Sequence, residues 1–256
     1  MLRALLVTAL ALAVPSGAVA DMTMTLDVKV GSLVSTDTIY VSSAGYRYET
    51  AHAVSIFRPQ DQVLFDITPA QRSYFRVTSE RLRQAAAAFD ASRHDWGDKL
   101  NAMSAERRQH LEAALGPATI NSASPLAFTT TELTATFGNW HCRMLHVMLD
   151  HVQHGSVCVV PLSEVGLGDA DAQVLKQLTR FMMQGPHPTV GFVSFWDLAA
   201  IEAAVGKPAF PIETIMAVPS GWFEFTVRTA ERRAAPADAF VLPTGLTEET
   251  APPHPG

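Results

Sequence analysis

The sequence predicts an α+β protein built on an antiparallel sheet, and three observations carry that prediction. Short runs of alternating apolar and polar residues succeed one another from Met22 to Thr78 with only turns between them, which leaves no room for the crossovers that parallel strands need. A stretch rich in alanine, glutamate, arginine and leucine then runs from Ser79 to Gly116. Strand texture returns with FTTTELTATFGNW, and the segment after it holds both cysteines of the chain, Cys142 and Cys158.

The first twenty residues, MLRALLVTALALAVPSGAVA, have a basic start at Arg3, an apolar run from Leu5 to Val14 and a small-residue end. That is the pattern of a secretory signal peptide, and Ala18-Val19-Ala20 predicts cleavage between Ala20 and Asp21. The apolar run is too short to span a bilayer, and Asp21 stands where a lipid-anchored protein carries a cysteine. The expectation is therefore a periplasmic or secreted chain that does not span the membrane. Its formal net charge is −6, and loss of Arg3 makes it more negative. Such a surface repels polyanions, so no nucleic-acid partner is expected.

In MTMTLDVKV the residues Met22, Met24, Leu26, Val28 and Val30 share one parity, and Thr23, Thr25, Asp27 and Lys29 the other. This is a half-buried strand. TIYVSS, YRYETA, HAVSIFR, QVLFDIT and SYFRVT continue a meander, punctuated by Gly45, Pro59-Gln60-Asp61 and Pro69-Ala70-Gln71. The composition from Ser79 to Gly116 favours helix, with Gly97 as a break, Ser104 as an N-cap and Gly116-Pro117 as a stop. Later, Asp169 or Asp171 caps a helix through AQVLKQLTRFMMQ, where Val174, Leu175, Leu178, Phe181 and Met182 form one face. FVSFWDLAAIEAAVG, from Phe192 to Gly206, is ambiguous, with a further helix as the reading it offers. FPIETIMAV and WFEFTVRTAERR read as strands around a turn at Pro219-Ser220-Gly221, and FVLPTGL reads as a short edge. From Thr247 to Gly256 the Pro-rich tail has no core-forming pattern and is expected to be disordered.

The stretch from Asn139 to Val160 is also rich in histidine and methionine. Trp140, Met144, Leu145, Met148, Leu149 and Val152 fit a helical stripe, but a helix would hold the two cysteines about 24 Å apart. In an oxidising compartment a pair of cysteines favours a disulfide, which requires their Cα atoms within about 7 Å. A hairpin turning between His151 and Gly155 meets that requirement, so Cys142 and Cys158 are expected to be bonded across neighbouring strands. Met144, His146, Met148, His151 and His154 are the candidate metal ligands, of types suited to copper. Their spacing imposes no geometry and no metal is favoured. Asp169 and Asp171 lack the later ligands of a calcium loop. There is no G-x-S-x-G, no phosphate-binding glycine loop and no HExxH, so neither an enzyme nor a cofactor is expected.

YRYE, VLFDITPAQRSYFRV, SAERRQHLE, FGNWHC and GSVCVVPLSEVGLGDADAQVLKQL together resemble an uncharacterised family of secreted bacterial proteins, from about Met22 to Leu246. The late Leu242-Pro243-Thr244-Gly245 step belongs to the same resemblance. The strand and helix rhythm is similar to the periplasmic lipoprotein-carrier (LolA-like) fold. The resemblance implies a single domain over 21–246 with a helical insert at about 79–116. It also implies that the sheet is curved, an incomplete barrel with helices covering its concave side. An apolar hollow in that place would take a lipid or another apolar small molecule. No residue of a lipoprotein-handling site maps onto this chain, so cargo transfer is not implied. The alternatives are an envelope interaction or scaffold protein without a small ligand, and metal binding at the histidine-rich hairpin.

Overall fold

Strand β1 (Met22–Val30) lies in the interior of a twelve-stranded sheet, because its alternating apolar residues are needed by partners on both sides. The computed structural model describes residues 21–107, 127–149, 151–185, 197–218 and 221–250. On one side of β1 the chain meanders outward through β2 (Leu33–Ser42), β3 (Gly45–Glu49), β4 (Val54–Arg58), β5 (Val63–Thr68) and β6 (Ser73–Thr78). On the other side β7 (Ala127–Phe137), β8 (Trp140–Leu149), β9 (Val152–Pro161), β10 (Ala209–Val218) and β11 (Gly221–Arg232) meander inward until β11 pairs with β1. These pairings are all antiparallel. The sheet is open, with order β12-β6-β5-β4-β3-β2-β1-β11-β10-β9-β8-β7.

Helix α1 (Ser79–Asn101) follows β6 directly. It runs through Gly97 without a break, since one helical glycine costs only about 1 kcal/mol relative to alanine. Ser104 caps the next turn by accepting from the Arg107 amide at 3.4 Å. Helix α2 (Asp169–Met182) is capped one residue before the first expected cap, Asp169. Gly168 is its N-cap, and Asp171 accepts the Gly168 amide at 2.9 Å from within the first turn. Asp171 is buried and also meets Arg232 at 2.5 Å, which fastens the helix start to the end of β11. Helix α3 (Leu198–Val205) settles the ambiguous stretch as helical over those residues. Asp197 caps it through the amides of Ala199 and Ala200, and Gly206 ends it at φ 78°. The signal peptide and its cleavage site, the Gly116-Pro117 stop and most of the Pro219-Ser220-Gly221 turn fall outside the described residues. Among the described residues no helix is long and apolar enough to cross a membrane.

Apolar side chains pack on both faces of the sheet. The larger core takes in Met22, Met24, Leu26, Ile39, Phe57 and Phe225, with the inner faces of α2 and α3. On the opposite face of β4 and β5, Ile56, Val63, Phe65 and Ile67 pack against Phe240, Leu242 and Leu246 from the C-terminal segment. That segment is a strap. Asp21 holds its start through the amides of Arg233 and Ala235, Arg47 donates to the Ala239 carbonyl, and the Thr247 amide donates to Arg72.

The strap corrects the expectation of disorder from Thr247. Thr247–Glu249 form β12, a parallel partner of β6. Composition gave no hint of it because three residues carry no pattern, and the order comes from the backbone ladder that the edge of β6 offers. The hairpin of β8 and β9 also differs from expectation. Its ladder is already closed at Leu149 and Val152, with His151 in the left-handed region at φ 65°, so the stretch from Val152 to Gly155 belongs to the strand.

Gly45 shows how tightly the strap is seated. A Cβ there would sit 2.6 Å from the Phe57 carbonyl oxygen and 3.2 Å from the Phe240 ring. Gly45→Val should therefore lower stability by about 1–3 kcal/mol, as overpacking does. Urea unfolding checks this, and an unchanged midpoint would show that the strap does not bear on the β3–β4 backbone.

Candidate functional site

Direct cross-strand partners share a face of a sheet, so the register lays out one face row by row. The first row is Met22, Val41, Tyr46, Phe57, Leu64 and Val77. The second is Met24, Ile39, Tyr48, Ser55, Asp66 and Phe75, and the third begins Leu26, Asp37. Against these rows lies α2, whose buried stripe includes Val174, Leu175, Leu178 and Phe181. The Phe57 and Phe181 rings are 5.2 Å apart. Lys176 and Glu202, 2.5 Å apart, join α2 to α3.

Polar groups break this apolar face along one strip. Asp37 is only 2 % exposed. Its Oδ2 accepts a hydrogen bond from the Tyr48 hydroxyl, while its Oδ1 is buried with no partner. Asp66 accepts from the Ser55 hydroxyl at 2.7 Å. Burial, and then the charge of Asp37, pushes the Tyr46 phenol well above its ordinary value. Tyr48 moves the same way through burial, its bond to Asp37 and that charge. Both phenols thus stay protonated. Burial also raises the Asp66 carboxyl, against the lowering effect of its Ser55 bond. The strip can donate and accept hydrogen bonds within an apolar wall, which is the composition of a small-molecule site.

None of this strip was among the residues singled out from the sequence, although a signal was present. In STDTIYVS, Asp37 has the parity of Ile39 and Val41, so the alternation already placed a carboxylate on the core face.

The histidine and methionine residues lie elsewhere. Met144, His146 and Met148 share one face of β8 and are half-buried, whereas Leu145, Val147 and Leu149 are buried on the other. His151 is exposed at the turn. His154 is the extra residue of a bulge, since Val147 pairs with Gly155 and Met148 with Gln153. The five candidates are therefore not one cluster. Among the described residues no three His, Cys, Asp or Glu side chains converge on a metal position.

Cys142 and Cys158 form a disulfide with Cα atoms 5.5 Å apart. They are diagonal neighbours, for Cys158 lies directly opposite Met144. Beside the bond a half-open cleft of about 410 Å³ is bordered by Thr134, Thr136, His141, Arg143, Glu164 and Lys207. Ala135, Val159, Val160, Pro161, Val205 and Ala209 complete its lining, which is thus mixed polar and apolar. Glu213 of β10 also pairs with Cys158 and is 5 % exposed. Burial, and secondly the charge of Glu224, pushes its carboxyl up to about 7.

No family model matches the chain, and no curated protein matches it. Among solved structures, an uncharacterized conserved protein from Thermus thermophilus is similar with a TM-score of 0.44 and 6 % identity, over 91 % of each chain. PNGF-II is similar with a TM-score of 0.37 and 8 % identity, over 90 % of this chain and 31 % of that one.

Two measurements follow from the β8–β10 geometry. Replacing both cysteines by alanine should remove about 3 kcal/mol of stability, the loop-closure contribution of a bond sixteen residues long; urea unfolding of the double variant reads it directly. The second concerns pH. Between the ordinary 4.5 and about 7 the folded chain keeps a proton on Glu213 that the unfolded chain has lost, so this group's stabilising contribution is full at the low end and declines as pH rises. Glu213→Gln should be more stable than the parent at about pH 8 and approach it at about pH 5. Equal stability differences at both values would remove Glu213 as the source.

Proposed function

We propose that the protein is an exported, non-enzymatic periplasmic protein that binds a lipid or similar amphiphile between its sheet and its helices. In this reading the sheet curves as an incomplete barrel of the lipoprotein-carrier type, and α2 and α3 cover its concave side. The disulfide suits an oxidising compartment. The observation that carries the proposal is the strip of Asp37, Tyr48, Ser55 and Asp66 in a face whose other rows are mostly Met, Val, Ile, Leu and Phe side chains. An amphiphile needs both parts: an apolar wall for its chain and a few placed polar groups for its head. Asp37 Oδ1, buried without a partner, is an acceptor for a hydroxyl or amine of such a head.

Adaptability of the wall supports the same reading. Met22 and Met24 lie in the rows, and Met182 packs against the core at the end of α2, where flexible thioether chains repack around a guest. The salt bridges of Asp171 and Lys176 tether the first half of α2, so a guest enters by parting its second half, around Phe181, from the sheet. Apolar side chains also stand in solvent at the adjoining β1–β2 and β10–β11 hairpins, where Leu33 is 75 % and Trp222 58 % exposed. Exposed apolar residues on neighbouring turns mark a contact surface, here at the end of β1 opposite the Met22 row that Phe181 covers.

The test is binding of a fluorescent long-chain fatty acid, together with native mass spectrometry of protein purified without detergent. A saturable one-to-one complex is expected. Asp37→Asn, which keeps an acceptor for Tyr48 but turns a donor toward the guest, should weaken it about tenfold, equivalent to about 1.4 kcal/mol. A clean apo mass without saturable probe binding would overturn the proposal, and a protein co-purifying in place of lipid would favour the scaffold alternative.

A further inference from the structure

The row register places Met144, His146 and Met148 on the face of the sheet opposite Asp37. His146 pairs across to Thr129 on one side and to Ser156 on the other. Ser156 pairs with Ile215, Ile215 with Glu224 and Glu224 with Lys29, which has the opposite parity to Leu26 and so to Asp37. The amphiphile strip therefore does not account for this trio.

Its central feature is His146 Nδ1, which is buried and has no hydrogen-bond partner. A buried polar nitrogen left unpaired costs about 1–3 kcal/mol, and such groups in a native protein call for a reason. Hydroxyl-bearing residues stand directly across from His146 on both neighbouring strands, yet neither satisfies Nδ1. Along the strand its nearest neighbours on the same face are the thioethers of Met144 and Met148. Thioether sulfur is too weak an acceptor to replace the missing hydrogen bond. It is a good ligand for a soft cation.

We propose that Met144, His146 and Met148 form a Cu(I) site, with His146 Nδ1 as the nitrogen ligand and the two methionine sulfurs completing it. Alternate residues of a strand lie about 6.6 Å apart along the chain, and side chains of a strand lean along its direction. Three rotatable bonds let each methionine sulfur reach back toward the imidazole between them. The ligand softness sets the metal: one imidazole and two thioethers select Cu(I) over Mg²⁺ or Ca²⁺, which require oxygen ligands. His151 and His154 are not part of the set. The first is exposed at the turn, and the second occupies the bulge.

The experiment uses the untagged chain with its disulfide intact and Cu(I) maintained by ascorbate, in competition with the chromophoric chelator bicinchoninate. One equivalent of Cu(I) should be withheld from the chelator, and the methyl carbon resonances of Met144 and Met148 should shift while those of Met22, Met24 and Met216 stay in place. His146→Gln should weaken retention at least tenfold. The same loss is expected of the double variant Met144→Leu, Met148→Leu, which conserves side-chain volume and so protects the fold. Complete transfer of copper to the chelator would overturn the proposal, as would retention by the leucine double variant equal to that of the parent, or shifts confined to other methionines. The methyl shifts are read on the parent chain, so they decide the matter even where a substituted chain does not fold.

Discussion

The seam between β1 and β11 is the contact on which the rest of the structure depends. Each meander is local, since its strands pair with neighbours in sequence through short turns. The seam instead joins Met22–Val30 to the stretch Phe223–Arg232, about two hundred residues later. It is stabilised by buried apolar side chains on both strands: Met22, Met24 and Leu26 are fully buried, and on the facing strand so is Phe225. A register shift between Thr25 and Leu26 lets β11 carry one extra residue past β1, a strand-bending device that increases local twist. Once the seam has formed, its end is locked by groups with no other reason to meet. Arg232 reaches Asp171 and the Gly166 carbonyl, and Asp21 receives the amides of Arg233 and Ala235. The start of α2 and the start of the C-terminal strap are thus both fixed by one end of one strand pair.

That dependence explains which parts of the fold were legible in the sequence. β1, β5 and β6 coincide with their expected spans to within one residue, because apolar alternation and flanking turns are local signals. The disulfide was legible for a different reason: two cysteines expected to be bonded restrict the secondary structure between them to one that brings them together. β12 was not legible, since its order derives from the exposed ladder of β6 and not from its own residues. β2 was expected to begin at Thr38 and begins at Leu33, for the stretch Leu33–Asp37 is held by pairing to β1 although Leu33 and Val34 bury little surface. Gly97 had the chemistry of a helix break without the context of one.

The polar residues of the buried faces were the least legible part of the candidate site, and the reason lies in how strand patterns are read. Alternation is scored by its majority, so Asp37 among Ile39 and Val41 registers as noise. Glu213 is hidden in the same way inside FPIETIMAV. Physically these exceptions are the informative positions. Each apolar residue in a row adds burial that several other residues would supply equally well, whereas a buried carboxylate must be tolerated against a desolvation cost of several kcal/mol. The histidine-rich hairpin shows the converse. Its composition drew attention to five side chains, and pairing separates them into three on a face, one at a turn and one in a bulge.

The two faces solve the problem of polar burial differently, and this separates their chemistry. On the α2 face the groups of the strip are satisfied mostly among themselves: Tyr48 donates to Asp37 and Ser55 to Asp66, while Asp37 Oδ1 and, farther along the face, the Thr214 hydroxyl are buried without a partner. Asp37 Oδ1 is a hard oxygen acceptor, and it lies in a wall of carbon. On the opposite face the unpartnered buried atoms are the Thr23 hydroxyl and, on β8, an imidazole nitrogen flanked by sulfur. An oxygen acceptor in an apolar wall discriminates for a hydrogen-bond donor attached to a hydrocarbon, and a nitrogen between thioethers discriminates for a soft cation. Because a sheet is one backbone thick and successive side chains point to opposite sides, the two capacities neither share a ligand atom nor compete for the same space. One strand arrangement can therefore hold both, and a change at either face leaves the register that builds the other intact.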